Sequence, residues 1–141
     1  MKTLFTNQFD GSTSLDGREY IEAEIRPGLT IRVYAEFDEM TNIDDWDADA
    51  FTPEEITAWN ADEWRFAIVR ASAYLAGRCI VPHLGSIGGI QHDDAGDGRA
   101  LNEAAEELLA ENEGDAIRAC KEFAKAARKA SRRSQHQRSS V

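Results

Sequence analysis

Apolar and polar residues alternate over residues 19–38. Ile21, Ala23 and Ile25 alternate with Glu22 and Glu24. Leu29, Ile31, Val33, Ala35 and Phe37 alternate with Thr30, Arg32, Tyr34 and Glu36. A period of two with one polar face predicts a pair of half-buried strands. Arg26-Pro27-Gly28 joins them. A two-residue turn would pair Ile25 with Thr30 and send the two apolar sets to opposite faces. A three-residue turn pairs Ile25 with Leu29, Ala23 with Ile31 and Ile21 with Val33, so register selects it, with Gly28 left-handed as a bulge. Residues 64–74 are mostly apolar and read as a third, central strand. Leu75-Ala76-Gly77 turns the chain into a fourth strand, residues 78–83. Pro82 lacks a ladder donor and marks an edge or a strand end, and Leu84–Ile90 reads as a glycine-interrupted, bulged continuation.

The period then changes. Leu101, Ala104, Ala105, Leu108 and Leu109 recur at i, i+3, i+4, i+7 and i+8, which predicts an amphipathic helix. Asn112-Glu113-Gly114 reads as its end or a kink. Asp115 would then cap a last helix with Ile117, Cys120, Phe123 or Ala124, and Ala127 on its apolar side. Between the second and third strands, Thr52-Pro53-Glu54-Glu55 is a helix start with a capping box and proline in the first turn, for a short helix over residues 53–60. Residues 1–17 read as an irregular leader whose Leu4, Phe5 and Phe9 pack onto the core. From Ser131 onward only Val141 is apolar, so residues 131–141 are expected to be a disordered basic tail. Strands followed by helices indicate an α+β fold: a four-stranded antiparallel sheet (hairpin 19–38, strands 64–74 and 78–90) packed on C-terminal helices, in one domain of residues 1–130.

Composition narrows the class. A chain of 141 residues with 42% hydrophobic side chains buries enough surface to fold without staples. It holds no apolar run of about 18 residues, so no membrane span is expected. Met1–Asn7 has no apolar segment, so no secretory leader is expected. Cys79 and Cys120 have neither zinc-site nor disulfide-framework spacing, and a reducing cytosol is the expected setting. Both lie in apolar stretches and read as inert core thiols.

Charge changes the picture more. The net charge of −10 is unevenly distributed. Residues 33–64 hold eleven acidic side chains and no Lys or Arg, while residues 117–141 hold eight basic side chains and one acidic. Asymmetry of this kind points to an interaction role. Asp44, Asp45, Asp47, Asp49, Glu54, Glu55, Asp62 and Glu63 present carboxylates at a density comparable to duplex phosphates, which basic clefts bind. Trp46 and Trp59 lie among them as candidate anchors of a protein interface. The plainer reading is a solvated loop, but structureless loops of this length are uncommon without a function. Arg118, Lys121, Lys125, Arg128, Lys129 and Arg132 form one stripe beside the apolar side of the last helix. Its readings are a cationic helix end, a nucleic-acid contact, or a contact with an acidic partner, including the acidic block of a second copy in a homodimer.

Other motifs offer less. His92, Asp93, Asp94, Asp97 and Gly98 are metal-loop residue types, and His83 is a further imidazole. An EF-hand beginning at Asp93 would have Ala95 and Ala104 at two ligand positions, so the reading is an ordinary loop and helix cap. Gly85-Ser86-Ile87-Gly88-Gly89 fits neither a dinucleotide nor a phosphate loop. No catalytic constellation is found, and no cofactor or metal is expected.

The apolar strand Trp64–Ala73, the strand ending Leu84-Gly85-Ser86-Ile87-Gly88-Gly89-Ile90, the acidic loop after it and the Leu101–Leu109 helix resemble small proteins of phages and other mobile elements. The likeness spans residues 64–112. Small acidic single-domain proteins of that source are similar in character to anti-CRISPR and other counter-defence inhibitors, several of which imitate DNA. The resemblance implies a non-enzymatic inhibitor acting in the bacterial host cytoplasm. Its acidic, DNA-mimicking face would bind a protein partner with a basic nucleic-acid-binding cleft, such as a CRISPR effector complex. It supplies no catalytic residues. Two other readings are a nucleic-acid-binding regulator that uses the basic helix, and a metal-dependent enzyme that uses His83, His92, Asp93 and Asp97.

Overall fold

The computed structural model describes residues 4–47 and 49–139. Strands β1 (Asp16–Arg26), β2 (Leu29–Phe37), β3 (Trp64–Leu75) and β4 (Arg78–Asp93) form one antiparallel sheet in chain order. A short helix, α1 (Pro53–Asn60), lies between β2 and β3, and α2 (Arg99–Ser139) follows the sheet. The architecture is α+β, with β3 central and β4 at an edge.

Alternation along β2 and β3 decides which residues meet the long helix. Ile31, Val33 and Ala35 on β2 and Val69, Ala71 and Ala73 on β3 are fully buried, and they pack against Leu101, Ala105, Leu108 and Leu109 of α2. Small side chains on the strands let the helix lie close. Where Asn112 crosses β4, even a methyl group on Gly85 would come within 3.0 Å of the Asn112 amide. Phe9 of the leader joins this core, and its backbone N–H and C=O bond to the Asn102 side chain at 2.8 and 2.9 Å. Phe5 is half-buried against the core, whereas Leu4 is exposed.

The hairpin differs from expectation at its tip. Ile21 faces Val33 and Ala23 faces Ile31, as read, but Arg26 faces Leu29, so the turn is the two residues Pro27-Gly28. The register shift falls between Glu24 and Arg26. A bulge in β1 therefore absorbs the extra residue, and both apolar sets stay on one face. The strand itself begins earlier, at Asp16, and β4 runs past Ile90 to Asp93.

The C-terminal region is one helix where two were expected. Asn112 does not end it, because its amide donates to the Leu108 carbonyl at 2.9 Å and stays within the helix. Gly114 is helical and a methyl group there would meet nothing. Asp115 is a mid-helix residue paired to Arg118 at 3.1 Å. The helix also runs through Ser139, where a disordered tail was expected. Once nucleated, a helix gains one bond per residue added, and Ala, Lys and Arg propagate it well. Residues 140 and 141 lie outside the described residues.

Two substitutions check these assignments. Ala76, in the β3–β4 turn, has φ +50° and Gly77 has φ +79°, the left-handed pair of a type I′ turn. Ala76→Gly is expected to raise unfolding stability by about 0.5–1 kcal/mol in urea titration. Gly114→Ala is expected to stabilise by a similar ~0.5–1 kcal/mol, as at an exposed helix interior. A glycine that capped a helix end would give the opposite sign.

Candidate functional site

The face of β3 opposite α2 carries Trp64 and Phe66, both buried. Two bulky aromatics on an otherwise open sheet face need a cover, and residues 38–63 supply it. Trp59 of α1 lies 5.1 Å, ring centre to ring centre, from each of Trp64 and Phe66. Phe51 lies 5.4 Å from Trp64, and Trp46 stacks nearly parallel on Phe66 at 6.1 Å. Each such pair contributes roughly 0.5–1.5 kcal/mol beyond its buried area. The result is a small aromatic core separate from the one under α2.

Hydrogen bonds fix the loop to the sheet at several points. The Trp64 indole N–H donates to the Glu55 carbonyl at 2.8 Å. The Gln91 amide donates to the Glu55 carboxylate at 3.2 Å. Asp38 is the main clamp. Its carboxylate accepts from the Thr41 hydroxyl at 2.6 Å, the Met40 N–H at 3.1 Å and the Gly89 N–H of β4 at 2.7 Å. Gly89 has φ +67°, a left-handed conformation that favours glycine, and the Trp46 ring lies in van der Waals contact range of the place a side chain would take. Partial burial opposes ionisation of Asp38, but these donors outweigh it and hold its pKa below the usual carboxylate value.

On this framework Asp44, Asp47, Asp49, Glu54, Asp62 and Glu63 are exposed. Asp45 and Glu55 have a local duty as well. Asp45 accepts from the Asn42 N–H at 2.8 Å, and Glu55 accepts from the Thr52 N–H at 3.0 Å in the capping box read from the sequence. The Thr52 and Gln91 bonds lower the Glu55 pKa. Among the described residues, no Lys or Arg forms an ion pair with any of these eight carboxylates. Trp59 is committed to the aromatic core. Trp46 shares that core yet keeps 45% of its surface exposed, so it both anchors the loop and faces outward.

Sequence reasoning missed four contributors. Register pairs Trp64 with Asp93, which brings exposed Asp93 and Asp94 beside the block as further negative charge. Met40 is 90% exposed and Phe37 is 41% exposed. They line a groove of about 480 Å³ with Glu36, Glu39, Ile68 and Arg70. Met40 sat in the sequence as an apolar residue outside any periodic pattern, the one signal that marked it.

The alternative sites do not assemble. His83 is exposed nine residues from His92 along β4, a separation of roughly 30 Å. Among the described residues, no group of three His, Cys, Asp or Glu side chains is placed to hold a metal ion. Asp97 accepts from the Arg99 N–H at 3.0 Å in the loop that leads into α2, in keeping with the ordinary loop expected there. Cys79 is exposed, contrary to the core placement expected of it, and Cys120 is half-buried. Arg118, Lys121, Lys125, Arg128, Lys129 and Arg132 are exposed on α2. The helix starts beside the Asp93 end of β4 and passes Gly85 at Asn112. Its basic half therefore lies away from the acidic face of its own chain.

No protein-family model, curated protein or solved structure matches the chain. Among the described residues, no helix is long and apolar enough to cross a membrane.

Because the Asp38 pKa is lowered on folding, its contribution is present above the unfolded-state value, near 3.8, and is lost as pH falls through the folded-state value. Asp38→Asn is expected to cost on the order of 1 kcal/mol at neutral pH. The gap to the parent protein should close below about pH 4, read from tryptophan fluorescence in urea at a series of pH values.

Proposed function

We propose that this chain is a non-enzymatic binding protein of the anti-CRISPR type. Its acidic face enters a basic, nucleic-acid-binding cleft of a protein partner in the bacterial cytoplasm and blocks nucleic acid there. The observation that carries the proposal is the set of carboxylates, all exposed but half-buried Glu55, that have no Lys or Arg ion-pair partner among the described residues, on a segment held to the sheet by its own aromatic core and the Asp38 clamp. A flexible acidic loop would lose roughly 0.5–1.5 kcal/mol for each side chain immobilised on binding, and a held one loses less. The clustered charge would steer encounter, raising association rates from about 10⁵–10⁶ toward 10⁸ M⁻¹s⁻¹ at low salt. Trp46 and Met40 supply exposed apolar contacts beside the carboxylates, the arrangement a protein interface uses.

The exposed basic half of α2 gives a second reading, direct binding of nucleic acid. A mobility-shift assay with and without residues 117–141 separates the two, since an acidic-face inhibitor shifts no nucleic acid at physiological salt.

The decisive variant is Asp44→Lys/Asp45→Lys/Asp47→Lys, assayed by affinity capture from a CRISPR-bearing host and by binding kinetics on the captured partner. It is expected to lower the association rate at least tenfold and abolish capture, with the folded state verified by circular dichroism. Unchanged capture by a folded triple variant would refute the acidic-face reading.

A further inference from the structure

Outside the acidic face, the outer side of α2 carries a charge pattern in which, among the described residues, only Glu103 has an ion-pair partner in its own chain. Leu101, Ala105, Leu108 and Ala116 are buried toward the sheet. Glu103, Glu107 and Glu111 lie on the opposite side and are exposed. Lys121, Lys125 and Lys129 continue the same stripe, also exposed. At 100° per residue, all six fall within a sector of about 80°. The two triplets mirror one another about Ala116. Positions 111 and 121, 107 and 125, and 103 and 129 are each equidistant from it.

Gly114 lies on this stripe, near its centre. It is helical, exposed and free of neighbours, and its φ is not positive. Nothing in the monomer needs a glycine there, and a helix interior is its least favourable place after proline. A second helix crossing at that point would use the missing side chain, because small residues let helix backbones approach.

We propose that two copies of the chain associate antiparallel through the outer side of α2. They cross near Gly114, and the glutamate triplet of each faces the lysine triplet of the other. A parallel pairing would set like charge on like charge, so the mirrored pattern specifies the antiparallel one. The two-fold relation closes the assembly as a dimer. Glu111 and Lys121 are five residues from the symmetry point, about 7.5 Å along the axis, and form the inner pairs. Glu103 is bonded to Arg99 at 3.0 Å, so the outer pairs contribute least. Arg118, also near the crossing, is offset by Asp115. Exposed ion pairs are individually weak, so the dimer is salt-sensitive and populated in the micromolar range. The surface lies on the far side of the sheet from Trp64 and Phe66, so both acidic faces stay free and the proposal stands independently of what they bind.

Sedimentation velocity of the full chain over ~10–500 μM, at low salt and at about 1 M salt, where the Debye length is about 3 Å, tests it. The parent protein is expected to dimerise at low salt and to dissociate at high salt. Lys121→Glu/Lys125→Glu/Lys129→Glu and Glu103→Lys/Glu107→Lys/Glu111→Lys are each expected to weaken self-association at least tenfold, and their equimolar mixture to restore a dimer. Gly114→Leu is expected to weaken the dimer while leaving helix content, read by circular dichroism, unchanged or higher. A parent protein monomeric throughout, folded triple variants that dimerise as the parent does, or a mixture that stays monomeric would each overturn the proposal.

Discussion

Strand β3 is apolar on both faces at its start, and the chain has to cover both. Val69, Ala71 and Ala73 turn toward α2, while Trp64 and Phe66 turn the other way. Leaving two such rings in water would expose a large apolar patch. The segment between β2 and β3 closes over them with Trp46, Phe51 and Trp59. That requirement explains how the most acidic stretch of the molecule comes to be ordered. Its aromatic residues face inward, and its carboxylates are left outside.

Charge and packing thus divide the same segment. Mutual repulsion among eleven carboxylates over residues 33–64 disfavours compaction, and the rings, the capping box and the Asp38 clamp oppose it. Two acids of the segment are bonded across to β4, Asp38 through the Gly89 N–H and Glu55 through the Gln91 amide. The basic residues gather instead on the exposed half of α2. The charge separation seen in sequence is therefore also a separation in space, with opposite charges presented on different surfaces.

Much of this was legible in the sequence. Alternation gave β1 and β2, a continuous apolar run gave β3, the turn after it led to β4, the strong core periodicity gave the start of α2, and Thr52-Pro53-Glu54-Glu55 marked α1 to the residue. The misreadings have local causes. Gly114 looked like a helix end because glycine is rare inside helices, and neither strain nor capping disclosed its true place. The hairpin tip was misjudged because a bulge at a strand residue and a three-residue turn satisfy the same core register. The last helical residues were read as disordered from composition, which carries no information about a helix already running into them. At the site, the acidic residues were plain, but the inward role of Trp59 was not. The pairing of Trp64 with Asp93 that widens the face is long-range, and no local pattern contains it.

The central claim is that residues 38–47 and 49–63 form a fixed face rather than a mobile acidic loop. Native-state hydrogen exchange tests it most directly, at the Gly89 N–H bonded to Asp38 and the Trp64 indole N–H bonded to the Glu55 carbonyl. The account predicts that both are protected nearly as strongly as the central amides of β3, and that Asp38→Asn selectively loses protection at Gly89. Exchange of both groups at rates of an unfolded chain, while β3 stays protected, would contradict it.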